Sequence, residues 1–229
     1  MGGMIPLGDV SRRPRNIPAI TILIIILNVL MFALELQGGD RFVLMYSVIP
    51  ADIAAGRSLV TLLTAMFMHA GWMHIVGNMV FLWVFGPQIE AAMGRLRYMA
   101  FYLLSGLVAA LAQIIAAPSS TVPNLGASGA IAGVMGAFLV TFPADRIRTL
   151  VLFGWYARIA LIPASLLIGL WFFVQIFSQV GAVVTAETGG VAYLAHIGGF
   201  LFGAVTARPF EKPRRIAAPM SDDDFQGWS

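Results

Sequence analysis

The 229 residues are 59% hydrophobic and only 11% charged, with a mean hydropathy of +0.86, far from the composition of a soluble domain. That composition describes an integral membrane protein of one domain, with several spans and short loops and no room for an added soluble domain of about 100 residues. The absence of cysteine excludes a disulfide framework, a thiolate metal site and a cysteine nucleophile.

A helix needs about 20 mostly apolar residues to cross the hydrocarbon, and six segments are candidates, so an all-α bundle of six transmembrane helices is expected. AITILIIILNVLMFALEL predicts the first span over 19–36; its apolar core is too long, and lacks the cleavage site, of a signal peptide. Residues 1–18 then form a cytoplasmic N-terminal segment in which Arg12 and Arg13 are anchoring charges. Residues 37–72 are too long for a turn, and their apolar pieces FVLMYSVIP and SLVTLLTAMFM are too short to cross. They are expected in or on the outer leaflet. The remaining spans are predicted at 73–92, 96–117, 127–142, 157–178 and 191–208, and the polar tail over 209–229 reads as disordered cytoplasmic chain.

Six spans put both termini on one side. Twelve of the 14 basic residues fall on that side, leaving Arg41 and Arg57 opposite, so the termini are expected in the cytoplasm. The pI near 9.7 therefore reflects topology. Basic residues spread along a membrane face, without a stripe of interleaved aromatics, exclude a nucleic-acid partner.

Polar side chains at membrane depth are costly and mark function by default. In this topology the second, fourth and sixth spans all enter from the outer face. The second opens with His74 and, one turn on, Asn78; the fourth opens with Ser128; the sixth carries His196 in its early turns. Each also has a bland reading, as a packing serine or an interhelical hydrogen bond. Gln113 and Gln175, near outer ends of odd-numbered spans, show that a polar residue near an interface is cheap.

The glycines add a geometric argument. Gly129 and Gly133 are four apart, as are Gly199 and Gly203, giving the fourth and sixth helices faces that allow close backbone approach. Ser128 precedes one face and His196 the other, so packing there brings a hydroxyl within about 2.6–3.2 Å of an imidazole, as a nucleophile and its base require. From Ser128 to Phe142 is 15 residues, about 22 Å against a core of about 30 Å. The fourth helix is therefore short and recessed, with an irregular entry of the kind that lines a wet cavity.

GASG at 126–129, AHIGG at 195–199 and HAGWMHIVGN at 69–78, with GPQIEAAMGRLR at 86–97, together resemble the rhomboid intramembrane serine proteases across about residues 19–208. The resemblance implies a six-helix rhomboid-like bundle with a Ser-His dyad and neither metal nor cofactor. It implies substrates that are transmembrane segments of other proteins, cut near the outer face of a cell membrane. Ser128 is then the nucleophile and His196 its base, while His74 and Asn78 join the Ser128 N–H in an oxyanion hole. His69 matches a structural histidine, and Glu90 a structural acid paired with an arginine or a backbone group. There are two departures: Ala132 stands where some members stack an aromatic ring on the catalytic imidazole, and the first outer loop lacks a Trp-Arg pair. GAVVTAETGG at 181–190 corresponds to a flexible cap over the site.

A catalytically silent relative that only binds transmembrane helices would lack the serine or the histidine, and both are present. Inverted repeats of a transporter are not evident. HAGWMH has no glutamate for a zinc-protease H-E-x-x-H, and the spans hold no aspartate pair. The sequence does not fix the oligomeric state.

Overall fold

The computed structural model describes residues 2–12, 16–185 and 193–212, and the chain is mostly helical. Helix α1 (Ala19–Tyr46) runs past the expected end at 36 by kinking at Gly39, whose φ of 58° is open to glycine at little cost. Of the apolar pieces too short to cross, FVLMYSVIP ends α1 and leads into α2 (Pro50–Ala54), while SLVTLLTAMFM folds as α3 (Thr61–Thr64) and a 3₁₀ turn at Ala65–Phe67; Ala65, Met66 and Met68 are buried against the bundle. Four long helices and one short one complete the bundle: α4 (Trp72–Met93), α5 (Arg95–Ala116), α6 (Ser128–Thr141), α7 (Ala164–Thr185) and α8 (Tyr193–Phe210). Among the described residues, α1, α4 and α5 are by length and composition sufficient to cross a membrane.

Helix α6 is the centre of the bundle. Every residue from Gly129 to Phe138 is buried, as expected of a helix that is apolar all round. It runs parallel to α8 at a separation set by glycine. A Cβ built on Gly199 would overlap the carbonyl oxygen of Gly129, one on Gly203 that of Gly133, and one on Gly136 that of Phe200. On another side α5 passes antiparallel, placing Ala109 against Gly129 and Ser105 against Gly133.

Glu90, late in α4, fastens the start of α1. Its Oε1 accepts the Ile20 N–H at 3.0 Å, and its Oε2 accepts the Thr21 N–H and hydroxyl, each at 2.8 Å. The first N–H groups of a helix have no partner inside it, and Pro18 offers α1 no side-chain cap. The carboxylate supplies one from another helix, with the favourable sign for a helix N-terminus. Of the two partners expected for Glu90, backbone groups are found among the described residues.

The expectation of an all-α chain needs correction, because three strands form an antiparallel sheet in the order β1-β2-β3: β1 (Gly2–Asp9), β2 (Arg146–Phe153) and β3 (Tyr156–Pro163). The span expected at 157–178 therefore begins as a strand, and its helix starts only at Ala164. Gly154, with φ 58°, opens a two-residue hairpin turn between Phe153 and its partner Tyr156, where glycine is the favoured first residue. A window of hydropathy cannot tell such an apolar strand from a helix. The sheet is fixed to the bundle at its base. Arg12 bonds Asp145 at 2.7 Å and lies over the Phe142 ring, while Gln88 donates to Asp9 at 2.9 Å and to the Arg12 carbonyl at 3.1 Å. The tail expected over 209–229 lies outside the described residues from 213 on, as does the expected cap from 186 on.

Two stability measurements in detergent follow. Gly203→Val must force α8 off α6 and is expected to cost about 3 kcal/mol or more, whereas Gly77→Ala, with open space at its Cβ, is expected to be neutral or mildly stabilising. Burial beside Asp145 pushes the Asp9 carboxyl up from its ordinary 3.8 to about 6, against the opposing effects of the Ser11 N–H, Gln88 and Arg12. The folded sheet thus prefers protonated Asp9, a contribution complete below about pH 4 and lost as pH rises through about 6. Two pKa units correspond to at most about 3 kcal/mol; with Asp9 still partly in water, Asp9→Asn is expected to stabilise by about 1 kcal/mol at pH 7.5 and by nothing at pH 4.

Candidate active site

Ser128 is the first residue of α6, and Ala127 before it provides no side-chain cap. The leading N–H groups of the helix are consequently without intrahelical partners, at the end where the helix dipole is positive. The Ser128 Oγ lies 2.7 Å from the His196 Nε2. His196 sits in the first turn of α8, buried, and its other ring nitrogen, Nδ1, is 2.7 Å from the Gln175 Oε1 of α7. A carboxamide oxygen can only accept, so this contact assigns the proton to Nδ1 and leaves the Nε2 lone pair facing the hydroxyl. One turn before Gln175, the Trp171 ring lies 5.8 Å from the imidazole, tilted by 41°.

Helix α4 brings His74 to the same point from the other side. A Cβ on Gly126 would fall 2.9 Å and 3.0 Å from the Cε1 and Nε2 of His74 and 3.5 Å from the Ser128 Oγ. Glycine with φ 134° therefore keeps open the space in which the serine and this imidazole converge. The Ala70 N–H is directed at the His74 Nδ1 at 3.3 Å, which leaves Nε2 as the ring's donor. Asn78 is buried one turn below, but its amide donates at 3.0 Å to the His74 carbonyl. One amide hydrogen is thus engaged within its own helix and a second remains. A cavity of about 60 Å³ lies against Ser128, lined by Gly126, Gly129, Asn124, Gln113 and Ala195, large enough for water.

Ser128, His196 and His74 are thus brought together, and Asn78 lies beside them with its amide turned partly to the backbone. His69 is buried, with its ring edge-on to His74 at 5.1 Å, and its backbone N–H donates to both carboxylate oxygens of Glu35 at 3.1 and 2.9 Å. Sequence reasoning missed three neighbours. Gln175 reads as a cheap interfacial glutamine, and Trp171 as one more apolar residue in a span; nothing in the pattern aims either at His196. Glu35 carries a legible signal, a carboxylate inside an apolar run. Ala132 is fully buried, and the aromatic beside the imidazole comes from α7 instead.

The chain matches the family model described as Rhomboid domain over residues 56–212. It is 32% identical over 133 residues to the rhomboid protease GluP of Bacillus subtilis, covering 56% of this chain and 26% of that protein. It is 27% identical over 199 residues to rhomboid protein 1, mitochondrial, of Saccharomyces cerevisiae, covering 82% and 54%. It is also 27% identical over 191 residues to presenilin-associated rhomboid-like protein A, mitochondrial, of Danio rerio, covering 79% and 45%. The alignments thus span between about a quarter and about half of these relatives' own lengths.

Proposed function

The chain belongs to the rhomboid family, and from that premise we propose that it is an intramembrane serine endopeptidase, hydrolysing peptide bonds in or near transmembrane segments of other membrane proteins. The observation that carries the reading is the 2.7 Å contact between the Ser128 Oγ and the His196 Nε2, inside a membrane domain and beside a cavity able to hold water. In this reading α1, α4, α5, α6, α7 and α8 are six spans. Helix α6, 14 residues and about 21 Å long, is recessed from the surface at its Ser128 end. The basic face with both termini is cytoplasmic by the inside-charge rule, the site opens to the outer face, and the membrane is the cell membrane. Residues 1–18, 19–208 and 209–229 divide into an N-terminal segment, the membrane domain and a tail.

The chemistry follows from the atoms present. Ser128 attacks the scissile carbonyl as His196 Nε2 takes its proton, and the same nitrogen returns that proton to the leaving amine. Water from the adjoining cavity then repeats the cycle on the acyl-enzyme. Gln175 is a positioning residue: by accepting from Nδ1–H it holds the imidazole in the tautomer whose Nε2 is basic, and it stabilises the imidazolium formed in the transition state. The oxyanion is received by the Ser128 N–H at the uncapped start of α6 and by His74 Nε2–H, with the free Asn78 amide hydrogen as a third donor. Each such donor is worth about 10²–10³ in rate. Trp171 of α7 sets an aromatic ring beside the imidazole, a neighbour that position 132 of α6 does not provide. A silent relative that only binds transmembrane helices has no use for a serine and a histidine held in contact, which disfavours that reading.

Purified protein in lipid is expected to cleave a transmembrane substrate near its outer boundary. Ser128→Ala and His196→Ala should each lower turnover by about 10³-fold or more, and a fluorophosphonate should label Ser128; cleavage that survives both substitutions overturns the mechanism. Gln175→Leu should lower kcat by on the order of 10- to 100-fold with KM nearly unchanged. Gln175→Glu, which keeps an acceptor, should restore most of it. A purely structural role would instead lower thermal stability in both variants and spare the kcat of the molecules that remain folded.

A further inference from the structure

The three-stranded sheet carries a surface that neither the bundle nor the site explains. Its side toward the helices is ordinary: Pro6, Ile147 and Thr149 are buried there. On the other side the register aligns Ile5, Leu150 and Ile159 across all three strands, and Leu152 and Leu161 fall on the same face by the two-residue alternation of a strand. An antiparallel sheet with one face on a core normally turns polar residues outward. Here Ile5, Ile159 and Leu161 are exposed, and the hairpin tip adds Phe153 at 77% exposure, Trp155 at 99% and Tyr156 at 54%. Contiguous apolar surface of this kind marks a contact with something.

What covers it is indicated by where the surface leads. Ile5 and Leu7 line one groove with Val29 of α1 and with Val76, Met79 and Trp83 of α4, so the sheet's apolar side runs without a break into the flanks of two membrane-spanning helices. β3 passes directly into α7 between Pro163 and Ala164, so the hairpin has no spacer with which to stand clear of the bilayer. Arg146 and Arg148 are exposed at its base and Arg158 is exposed along β3. Exposed Trp and Tyr beside arginine are the side chains that settle at the headgroup level of a membrane. We infer that the sheet is an interfacial membrane anchor: its outer face and its Phe153–Tyr156 tip lie in the leaflet at the end of the bundle opposite Ser128. The arginines meet anionic headgroups there. At eight residues a strand, the hairpin is about 26 Å long, enough to cover a broad stretch of that leaflet beside α7. This rests on the membrane domain alone and is independent of any peptidase activity.

A chain without cysteine permits a direct test. Trp155→Cys and Ile159→Cys, each carrying an NBD fluorophore on the full chain, are placed in nanodiscs of POPC and POPG, where both faces meet solvent. Both side chains are exposed, so the fold is expected to persist, as circular dichroism checks. The expected result at both positions is blue-shifted emission, quenching by shallow doxyl-labelled lipid stronger than by deep, and loss of most of the quenching that aqueous iodide exerts on an NBD–cysteine adduct free in buffer. Emission and iodide quenching equal to the free adduct overturn the inference. Protection from iodide without doxyl quenching overturns it too, since a protein surface, such as a second copy pairing with the β3 edge, would then be the cover.

Discussion

The carbonyl oxygen of Gly133 occupies the place where a side chain on residue 203 would have to begin, and the same is true of Gly129 and residue 199. Helices normally pack with axes 8–10 Å apart because side chains stand between them; here two backbones touch. In a bilayer no hydrophobic effect pushes helices together, so the attraction comes from close van der Waals contact over the glycine faces, with Cα–H···O contacts adding a little. Such a surface has essentially one way to fit, and it fixes the register of α8 on α6. Ser128 is one residue ahead of Gly129 and His196 three ahead of Gly199, so their separation is inherited from that register.

Carboxylates hold the outlying helix α1 to α4 and to the segment that leads into it. Glu90 closes the first turn of α1, and Glu35, inside α1, takes the His69 N–H. The next amide, of Ala70, meets the His74 Nδ1. Two consecutive backbone amides thus meet, one the carboxylate of α1 and the next the ring of His74. Hydrogen bonds to charged groups are worth about 1.5–3 kcal/mol each, and the unmet groups would cost as much or more. Backbone donors thus meet the buried carboxylates of Glu35 and Glu90.

What could be read from the chain is what repeats at helical spacing. The four-residue steps of Gly129, Gly133, Gly199 and Gly203 give the central crossing, and the positions of Ser128, His74 and His196 at the starts of like-directed helices give their common depth. β3 escaped because ARIALIP is apolar enough to read as the start of a membrane span, and β1 and β2 because they pair across about 140 residues, a long-range contact that no local pattern announces. Gln175 escaped for a related reason. Its meaning lies in the rotation of α7 about its own axis, which three-dimensional packing sets and which the weak polarity of one glutamine does not encode. Asn78 shows the converse: its position was legible, but the competing backbone carbonyl of His74 was not.

Helix α7 belongs to both ends of the molecule. It starts at the last residue of the sheet, with the Ala164 N–H bonded to the Asp145 carbonyl at 2.7 Å, and eleven residues later, about 17 Å along its axis, it presents Gln175 to His196. Its opposite flank, Leu166, Leu170, Phe173 and Phe177, is exposed, while its inner side meets α8 through the stacking of Phe172 on Phe200 at 4.1 Å and the contacts of Trp171 and Gln175 with His196. A helix anchored at one end converts a small tilt into a displacement that grows along its length. A rotation of a few degrees about the sheet end displaces the Gln175 oxygen by about an ångström over that length, which turns a 2.7 Å hydrogen bond into none. The histidine then loses about 1 kcal/mol of preference for its basic tautomer, roughly fivefold in population. The 2.7 Å contact between Gln175 and His196 is therefore the part of the site most sensitive to the tilt of α7.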